Sequence, residues 1–226
     1  MNYIMTKEEV DYIILNNYPK LIKCCDYLYC EIESNIEILF GSPKEDNNKF
    51  FKNNDYRIEP FTRLLSVVVN IKMSLYLFNS FIEKQSWEKD YFSNILNYPS
   101  IDNYYGFLYD LDTDYRFLFY TQFFSQIESY AREVTRYENK EKFHFPEFLK
   151  KGADFDDKFI EFAEAIRNSI HNNGYFFPYK QMKQTVTYES ITINKGDKLD
   201  FFSWEYAFEF CSKLLKHFSA TFYIEK

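Results

Sequence analysis

The chain has 226 residues and a net charge of −7. This acidic balance argues against a protein that coats nucleic acid by bulk electrostatic attraction, although it is compatible with a local basic site. Aromatic residues make up 22% of the chain and can fill a sizeable core. The length is compatible with one large domain, and we expect a single domain over residues 1–226.

The four cysteines, at positions 24, 25, 30 and 211, show neither metal-ligand spacing nor a disulfide framework. Cys25 and Cys211 fall at apolar helix positions, which predicts buried thiols in a reducing compartment. The N-terminus shows no signal-peptide pattern, and no apolar run approaches the length of a membrane span. We therefore expect a cytoplasmic protein that does not enter a membrane.

Helical spacing of apolar residues dominates the first third of the chain. Thr6 and Glu9 form a capping-box pair that predicts a short first helix. Pro19 suits the start of a second helix, which Gly41 ends. A third helix is predicted over residues 60–84. The sequence assigns no role to these N-terminal helices, which lie within the first hundred residues.

Residues 85–111 show no clear period, and Gly106 is one of the residues that mark turns there. Three aspartates at alternate positions, Asp110, Asp112 and Asp114, resemble part of a calcium-binding loop. The glycine and the closing glutamate that such a loop needs are missing, so we expect no calcium site.

A fourth helix is predicted over residues 114–138. Its Glu128 lies four residues before Arg132, beside the apolar face, and this is the favourable order for an ion pair on a helix. The simplest interpretation of this pair is a surface salt bridge that adds little stability. Residues 139–155 are predicted to form a connector that contains a short helix.

The fifth predicted helix, over residues 156–171, has the clearest ends. Asp156 and Asp157 suit the positive end of the helix dipole. The segment 172–174, Asn-Asn-Gly, tolerates the left-handed conformation in which helices commonly end. The apolar residues recur on one face at steps of three and four, at Phe159, Ala163, Ile166 and Ile170.

Beyond this helix the apolar period changes from 3.6 towards 2. Strands are predicted over residues 185–188 and 190–193, followed by a third short strand over 199–202 and a last helix over 204–223. The sequence therefore predicts an all-α fold, an up-and-down helical bundle with a small β-hairpin appendage between the last two helices.

Polar chemistry is concentrated at the end of the fifth helix. Arg167 and His171 are four residues apart, so they lie one above the other on a stripe that borders the apolar face. A partly desolvated imidazole can act as an acid or base, and a guanidinium can hold a phosphate with two hydrogen bonds. A purely structural interpretation is equally available, because a cation near a helix C-terminus complements the dipole and Asn-Asn-Gly is ordinary capping.

Several catalytic chemistries are absent from the sequence. The three histidines, His144, His171 and His217, have no metal-ligand spacing, and a Gly-rich phosphate loop and a nucleophile elbow are missing. A metal-free acid/base site built on His171, with Arg167 as charge stabiliser, remains and needs no cofactor. Such a pair suits RNA cleavage. Because one histidine cannot serve as both base and acid, we expect a two-fold dimer that pairs two such helices.

The run Arg-Asn-Ser-Ile-His-Asn-Asn-Gly over residues 167–174 follows a helix that reads Phe-Phe-Ser-Gln-Ile-Glu-Ser-Tyr-Ala-Arg over residues 123–132. In this order the two segments resemble the HEPN superfamily of helical-bundle proteins, over about residues 115–223. The resemblance implies an up-and-down α-helical bundle and dimerisation that brings two motifs together. In active members it implies metal-independent endoribonuclease activity, used as a toxin or in defence against phage.

By the same resemblance, four residues have expected roles. Arg167 would stabilise the phosphate, His171 would be the acid/base, and Asn168 would support the site. Glu128 would orient or tune Arg167 or His171. The expected partners are RNA, a second copy of the chain, and a protein partner such as an antitoxin.

The chain departs from the usual HEPN spacing, because only three residues separate Arg167 from His171. The short spacing, the acidic net charge and the many Tyr and Phe residues favour an alternative, a non-catalytic HEPN-like helical interaction module. Charge placement separates the two hypotheses, since a positive groove around Arg167 favours RNA and an acidic one disfavours it. The candidates for that groove are basic Arg132, Lys150, Lys151 and Lys180, and acidic Glu164, Asp156 and Asp157.

Overall fold

The computed structural model describes residues 18–41, 57–83, 101–137, 143–152, 155–198 and 203–222. It confirms a mostly helical fold with one small antiparallel hairpin between the last two helices. The elements in chain order are α1 (Tyr18–Phe40), α2 (Glu59–Glu83), α3 (Ile101–Tyr137), α4 (Phe145–Leu149), α5 (Asp157–His171), β1 (Thr185–Tyr188), β2 (Ile191–Asn194) and α6 (Trp204–Ala220). The predicted helix at Thr6 and the predicted strand over 199–202 lie outside the described residues.

The first two described helices pack on each other, and α1 also packs on the last helix. The α1 helix buries a stripe at helical spacing, namely Leu21, Cys25, Leu28, Ile32 and Ile36. Burial of Cys25 and Cys211 is confirmed, and both thiols are free. Gly41 follows α1 with a φ of 90°, a left-handed conformation that glycine adopts without a steric penalty. The predicted end of this helix is therefore confirmed.

The α3 helix begins earlier than the sequence predicts. It is continuous from Ile101, so Gly106 lies within a helix and the prediction of a turn there is wrong. A single glycine costs a helix about 1 kcal/mol, and the packing of a long helix with a buried face outweighs that cost. The buried residues on this face include Phe119, Phe123, Ile127 and Ala131.

Asp112, one of the three alternate aspartates, is buried against the last helix. Its Oδ1 accepts a hydrogen bond of 2.6 Å from Trp204 Nε1, and its Oδ2 lies 3.2 Å from an Arg116 nitrogen. Burial raises the pKa of the Asp112 carboxyl, while Arg116 and the Trp204 hydrogen bond oppose that rise. This side chain therefore ties α3 to α6.

The core is one cluster that involves all six helices, and its part between α3, α5 and α6 is built largely from aromatic rings. Phe210 of α6 packs its ring against Tyr120 and Phe124 of α3 and against Phe159 and Phe162 of α5. Contacts of this kind, edge-to-face or tilted, are worth about 0.5–1.5 kcal/mol each beyond the area they bury. Phe210 thus joins the aromatic residues of these three helices.

Both ends of α5 form as the sequence predicts. Asp156 caps the start, because one of its carboxylate oxygens accepts from Lys158 N and Phe159 N at 3.0 and 3.1 Å. At the other end, Asn173 and Gly174 have φ values of 56° and 88°. Gly174 N donates to Ser169 O at 2.8 Å, which satisfies a carbonyl of the last turn.

The hairpin is a two-stranded antiparallel sheet in which Val186 pairs with Ile193. Both of these side chains are buried, and β1 packs on α5. The second strand ends one residue later than predicted, at Asn194. Among the helices in the described ranges, none is both long and apolar enough to cross a membrane.

The Asp112–Trp204 contact generates a stability prediction. Trp204→Phe keeps most of the buried ring but removes the donor to Asp112, so we expect the free energy of unfolding to fall by about 1–3 kcal/mol. Urea denaturation of Trp204→Phe, Asp112→Ala and the double variant measures the coupling. If the two single losses simply add in the double variant, the hydrogen bond does not stabilise the packing of α3 on α6.

Candidate functional site

A buried carboxylate on α3 lies at the centre of the candidate site. Glu128 accepts two hydrogen bonds from Arg167 of α5, from Nε to Oε2 at 2.8 Å and from a terminal nitrogen to Oε1 at 2.7 Å. The side chain of Glu128 is only 9% exposed and that of Arg167 is 17% exposed. This two-point pair therefore joins α3 to α5 in a mostly dry environment, where such a pair has both strength and fixed geometry.

A second guanidinium, that of Arg132, binds the same carboxylate. Arg132 Nε donates to Glu128 Oε1 at 2.9 Å, and a terminal nitrogen of Arg132 also contacts that oxygen. The predicted ion pair is therefore present, but the interpretation as a simple surface salt bridge is wrong. Glu128 is buried and shared, whereas the side chain of Arg132 is 49% exposed. Arg132, which the sequence predicts only as an ion-pair partner and a candidate for a basic groove, is thus a member of the site.

His171 completes the cluster at the end of α5. Its Nε2 lies 3.3 Å from Glu128 Oε2, and its side chain is 56% exposed. A neutral imidazole that donates from Nε2 to Glu128 keeps its lone pair on Nδ1. The carboxylate thus fixes the orientation of a ring whose other side is accessible to solvent.

The charge state of the cluster follows from its contacts. Burial alone would raise the pKa of Glu128, but hydrogen bonds from Arg167 and then Arg132 lower it to about 2. Burial alone would lower the pKa of Arg167, and the hydrogen bond to Glu128 raises it instead. Glu128 is therefore an anion at neutral pH and does not itself transfer protons. With two guanidinium groups around one carboxylate, the cluster carries a net positive charge.

Two aromatic rings line the same cations. The guanidinium carbon of Arg132 lies 4.7 Å from the centre of the Phe143 ring. That of Arg167 lies 5.6 Å from the Phe145 ring, at the start of α4. Cation–π contacts of partly desolvated guanidinium groups are worth about 0.5–2 kcal/mol and restrict the side chains further. Both phenylalanines belong to the connector predicted over residues 139–155, and the sequence predicts no role for them in the site.

Asn168 lies next to Arg167 in sequence but its described contacts are with the chain that follows the helix. Its Oδ1 accepts from the backbone N of Phe177 at 3.1 Å. Its backbone oxygen accepts from Asn172 Nδ2 at 2.7 Å. The structure thus brings together Glu128, Arg167 and His171, and places Asn168 one helix ridge away, where it holds residues 172–177 against α5.

The charged residues that were expected to separate the ribonuclease hypothesis from the interaction-module hypothesis lie at both ends of α5. Arg132 joins Arg167 at the C-terminal end, and Glu164 also acts electrostatically on Arg167 there. Asp156 and Asp157 lie at the opposite end, where Asp157 pairs with Lys150. With Glu164 included, two guanidinium groups face two carboxylates, so neither sign of charge dominates the region around Arg167.

Of the remaining histidines, His144 lies between Phe143 and Phe145, whose rings contact Arg132 and Arg167. His217 stacks on Phe159, with ring centres 5.1 Å apart, and burial lowers its pKa. His144 is the exposed residue before α4 and lines a cleft of about 280 Å³ that also includes Glu164 and Tyr179. Within the described ranges, no three His, Cys, Asp or Glu side chains are arranged to hold a metal ion.

Comparisons of the chain with protein-family models, with curated proteins and with solved structures find no match. The geometry of the site is therefore the basis for any functional assignment.

The shared carboxylate generates a prediction with a pH dependence. The pKa of Glu128 is lowered on folding, so its stabilising effect is complete above about pH 4.5 and is lost as the pH falls towards 2. We expect Glu128→Gln to reduce the free energy of unfolding at pH 7 by about 3 kcal/mol. The free energies of unfolding of wild type and Glu128→Gln should converge as the pH is lowered from about 4.5 towards 2, and urea denaturation at each pH measures them.

Glu133→Gln is the matched control, because Glu133 is an exposed glutamate on the same helix. It should stay within about 0.5 kcal/mol of wild type at every pH. A constant difference between wild type and Glu128→Gln from pH 7 down to pH 2.5 would contradict the role given to the carboxylate.

Proposed function

We propose that the protein is a metal-independent endoribonuclease of HEPN type, active as a homodimer. The observation that carries the proposal is the shared carboxylate, which holds a cationic Arg167 and a half-exposed His171 side by side at a helix end. An oriented acid/base next to a positive charge is the minimum that RNA cleavage by internal transesterification needs. The resemblance of the two motif segments to HEPN proteins supports the same assignment.

In this mechanism His171 takes the proton from a ribose 2′-hydroxyl, with Nδ1 as the base. The 2′-oxygen attacks the adjacent phosphorus, a P–O bond forms, and the bond to the 5′-oxygen of the next nucleotide breaks. Arg167 stabilises the negative charge that builds up on the phosphoryl oxygens, and Arg132, which is more exposed, adds a second guanidinium. Glu128 holds the imidazole and stabilises the imidazolium that forms.

The leaving 5′-oxygen must receive a proton, and a second histidine is the simplest donor. In the homodimer that the family resemblance implies, His171 of a second copy would supply that proton. A two-fold axis near the C-terminal end of α5 would place two clusters around one substrate. The products are a 2′,3′-cyclic phosphate and a 5′-hydroxyl. Use as a toxin or in phage defence, with an antitoxin or other protein partner, follows from the family resemblance.

A second candidate is a non-catalytic helical interaction module. The observation that favours it is the low exposure of Arg167, whose Nε and one terminal nitrogen are both engaged by Glu128. In that case the cluster only fixes α5 against α3. The accessible surface of His171 would then belong to a protein interface.

The two candidates are separated by RNA cleavage in the presence of EDTA. We expect wild type to cut single-stranded RNA and to leave cyclic phosphate ends. His171→Ala should reduce the rate by about 10²–10⁴-fold, the usual contribution of a positioned acid/base. Because His171 is half exposed, this substitution should leave the thermal midpoint nearly unchanged. Product ends are read by mass spectrometry.

Lys23→Ala is the control, since Lys23 is exposed on α1, a helix that packs on α2 and α6. It should cut at the wild-type rate. Cleavage that persists in His171→Ala would point to a contaminating nuclease. Wild type that leaves RNA intact at concentrations where sedimentation shows a dimer would favour the interaction module.

A further inference from the structure

Three aromatic side chains follow the site in sequence and remain exposed. Tyr175, Phe177 and Tyr179 form this aromatic strip, and the first two are 41% and 49% exposed. The rings of Tyr175 and Phe177 stack on each other, with centres 6.2 Å apart and planes 25° apart. Phe176 between them is fully buried. The segment thus alternates like a strand, with one face in the core and the aromatic strip on the other.

The backbone holds the aromatic strip in place. Tyr175 forms an isolated antiparallel bridge with Lys198. Phe176 N donates to Asp197 O, and Gly196 N donates to Phe176 O, both at 2.8 Å. On the other side, Phe177 N donates to Asn168 Oδ1 of α5. The two rings are therefore preorganised, and a ligand that stacks on them pays little to order them.

The aromatic strip runs back along α5, next to the group formed by Glu128, Arg132, Arg167 and His171, which we call the Arg/His cluster. Phe177 contacts Asn168 and the Tyr179 hydroxyl bonds to Glu164, so the strip follows the ridge that carries these two residues. Arg167 and His171 lie on the adjacent ridge, and neighbouring positions on a helix surface are about 5–6 Å apart at Cβ. The phenol of Tyr179 also interacts electrostatically with Arg167. Tyr179 therefore lies beside Arg167, and Tyr175 and Phe177 precede it on the same exposed face of the segment.

We infer that Tyr175 and Phe177 form a base-stacking platform for unpaired nucleotides of RNA, beside the Arg/His cluster. Unpaired bases present free faces that stack on aromatic rings, and a cationic group nearby neutralises the adjoining phosphate. In a duplex these faces are covered by neighbouring base pairs, so paired RNA cannot use the platform. The inference deepens the proposed ribonuclease function and rests on it for the identity of the ligand.

The platform also predicts how selectivity arises. Every base has a π face, so stacking gives a preference for single strands without a strong preference for sequence. The stacked base fixes the position of its own ribose and phosphate relative to His171. The aromatic strip would thereby act in substrate positioning, while Arg167 and His171 act on the phosphate and the proton.

The test is fluorescence anisotropy with a labelled single-stranded oligonucleotide and a blunt-ended duplex of the same sequence. Both probes carry 2′-O-methyl groups, so binding is measured without cleavage. We expect wild type to bind the single strand more tightly than the duplex. The double variant Tyr175→Ala/Phe177→Ala should lose at least about tenfold in affinity for the single strand. The conservative Tyr175→Phe and Phe177→Tyr variants should retain wild-type affinity.

Tyr27→Ala is the matched control, because Tyr27 is an exposed aromatic residue on α1. It should bind like wild type. Sedimentation of each variant at the binding concentration shows whether the oligomeric state is unchanged. An unchanged affinity of the double alanine variant overturns the inference. So does a lost affinity that accompanies dissociation of a dimer, since the aromatic strip would then be a protein interface.

The outcomes distinguish this inference from the proposed reaction. If the double alanine variant loses single-strand affinity but unmodified RNA remains uncut by wild type, the platform stands and the ribonuclease proposal fails. If wild type cuts RNA and the double alanine variant cuts and binds equally well, the reaction stands and the platform is overturned. Absence of single-strand binding by wild type overturns the platform as well.

Discussion

The candidate site depends on a single anion, the carboxylate of Glu128. It is removed from water at the interface of α3 and α5, and a buried carboxylate is tolerated only when cations and donors replace the lost hydration. Arg167, Arg132 and His171 supply them from three different directions. Because α3 contributes the anion and α5 contributes two of its partners, the same contact sets the register of the two helices and the geometry of the site.

The three partners of Glu128 differ in how far their side chains are exposed to solvent. Arg167 is the most buried cation and makes the two-point pair, whereas His171 is half exposed and makes one longer contact. Arg132 lies between these extremes and rests on an aromatic ring. The stabilising part of the interaction is therefore concentrated in Arg167, and the chemically available part in His171 and Arg132. A site built in this way can change its outer residues without losing the helix packing that supports them.

Features of the fold that depend on a few neighbouring residues could be predicted from the sequence. Features that depend on contacts between distant residues could not. The caps of α5, the Gly41 stop and the alternation of β1 and β2 are each decided within a few residues, so the sequence predicts them. The α3 helix continues through Gly106, which the local pattern does not predict. Glu128 and Arg167 are 39 residues apart, and periodicity alone cannot pair them. The family resemblance placed them together as an expectation, but it did not include Arg132 or the aromatic strip.

The α5 helix has two polar ridges, one with Arg167 and His171 and one with Glu164 and Asn168. They are contacted by different parts of the chain. The ridge of Arg167 and His171 is covered by α3, whereas the ridge of Glu164 and Asn168 is covered by the returning chain. That return requires a sharp reversal after Asn172, which Asn173 and Gly174 make with positive φ values. A longer helix would carry the chain away from its own surface. Ending α5 directly after His171 therefore lets the following segment return along the same helix as far as Glu164, which bonds to the Tyr179 hydroxyl.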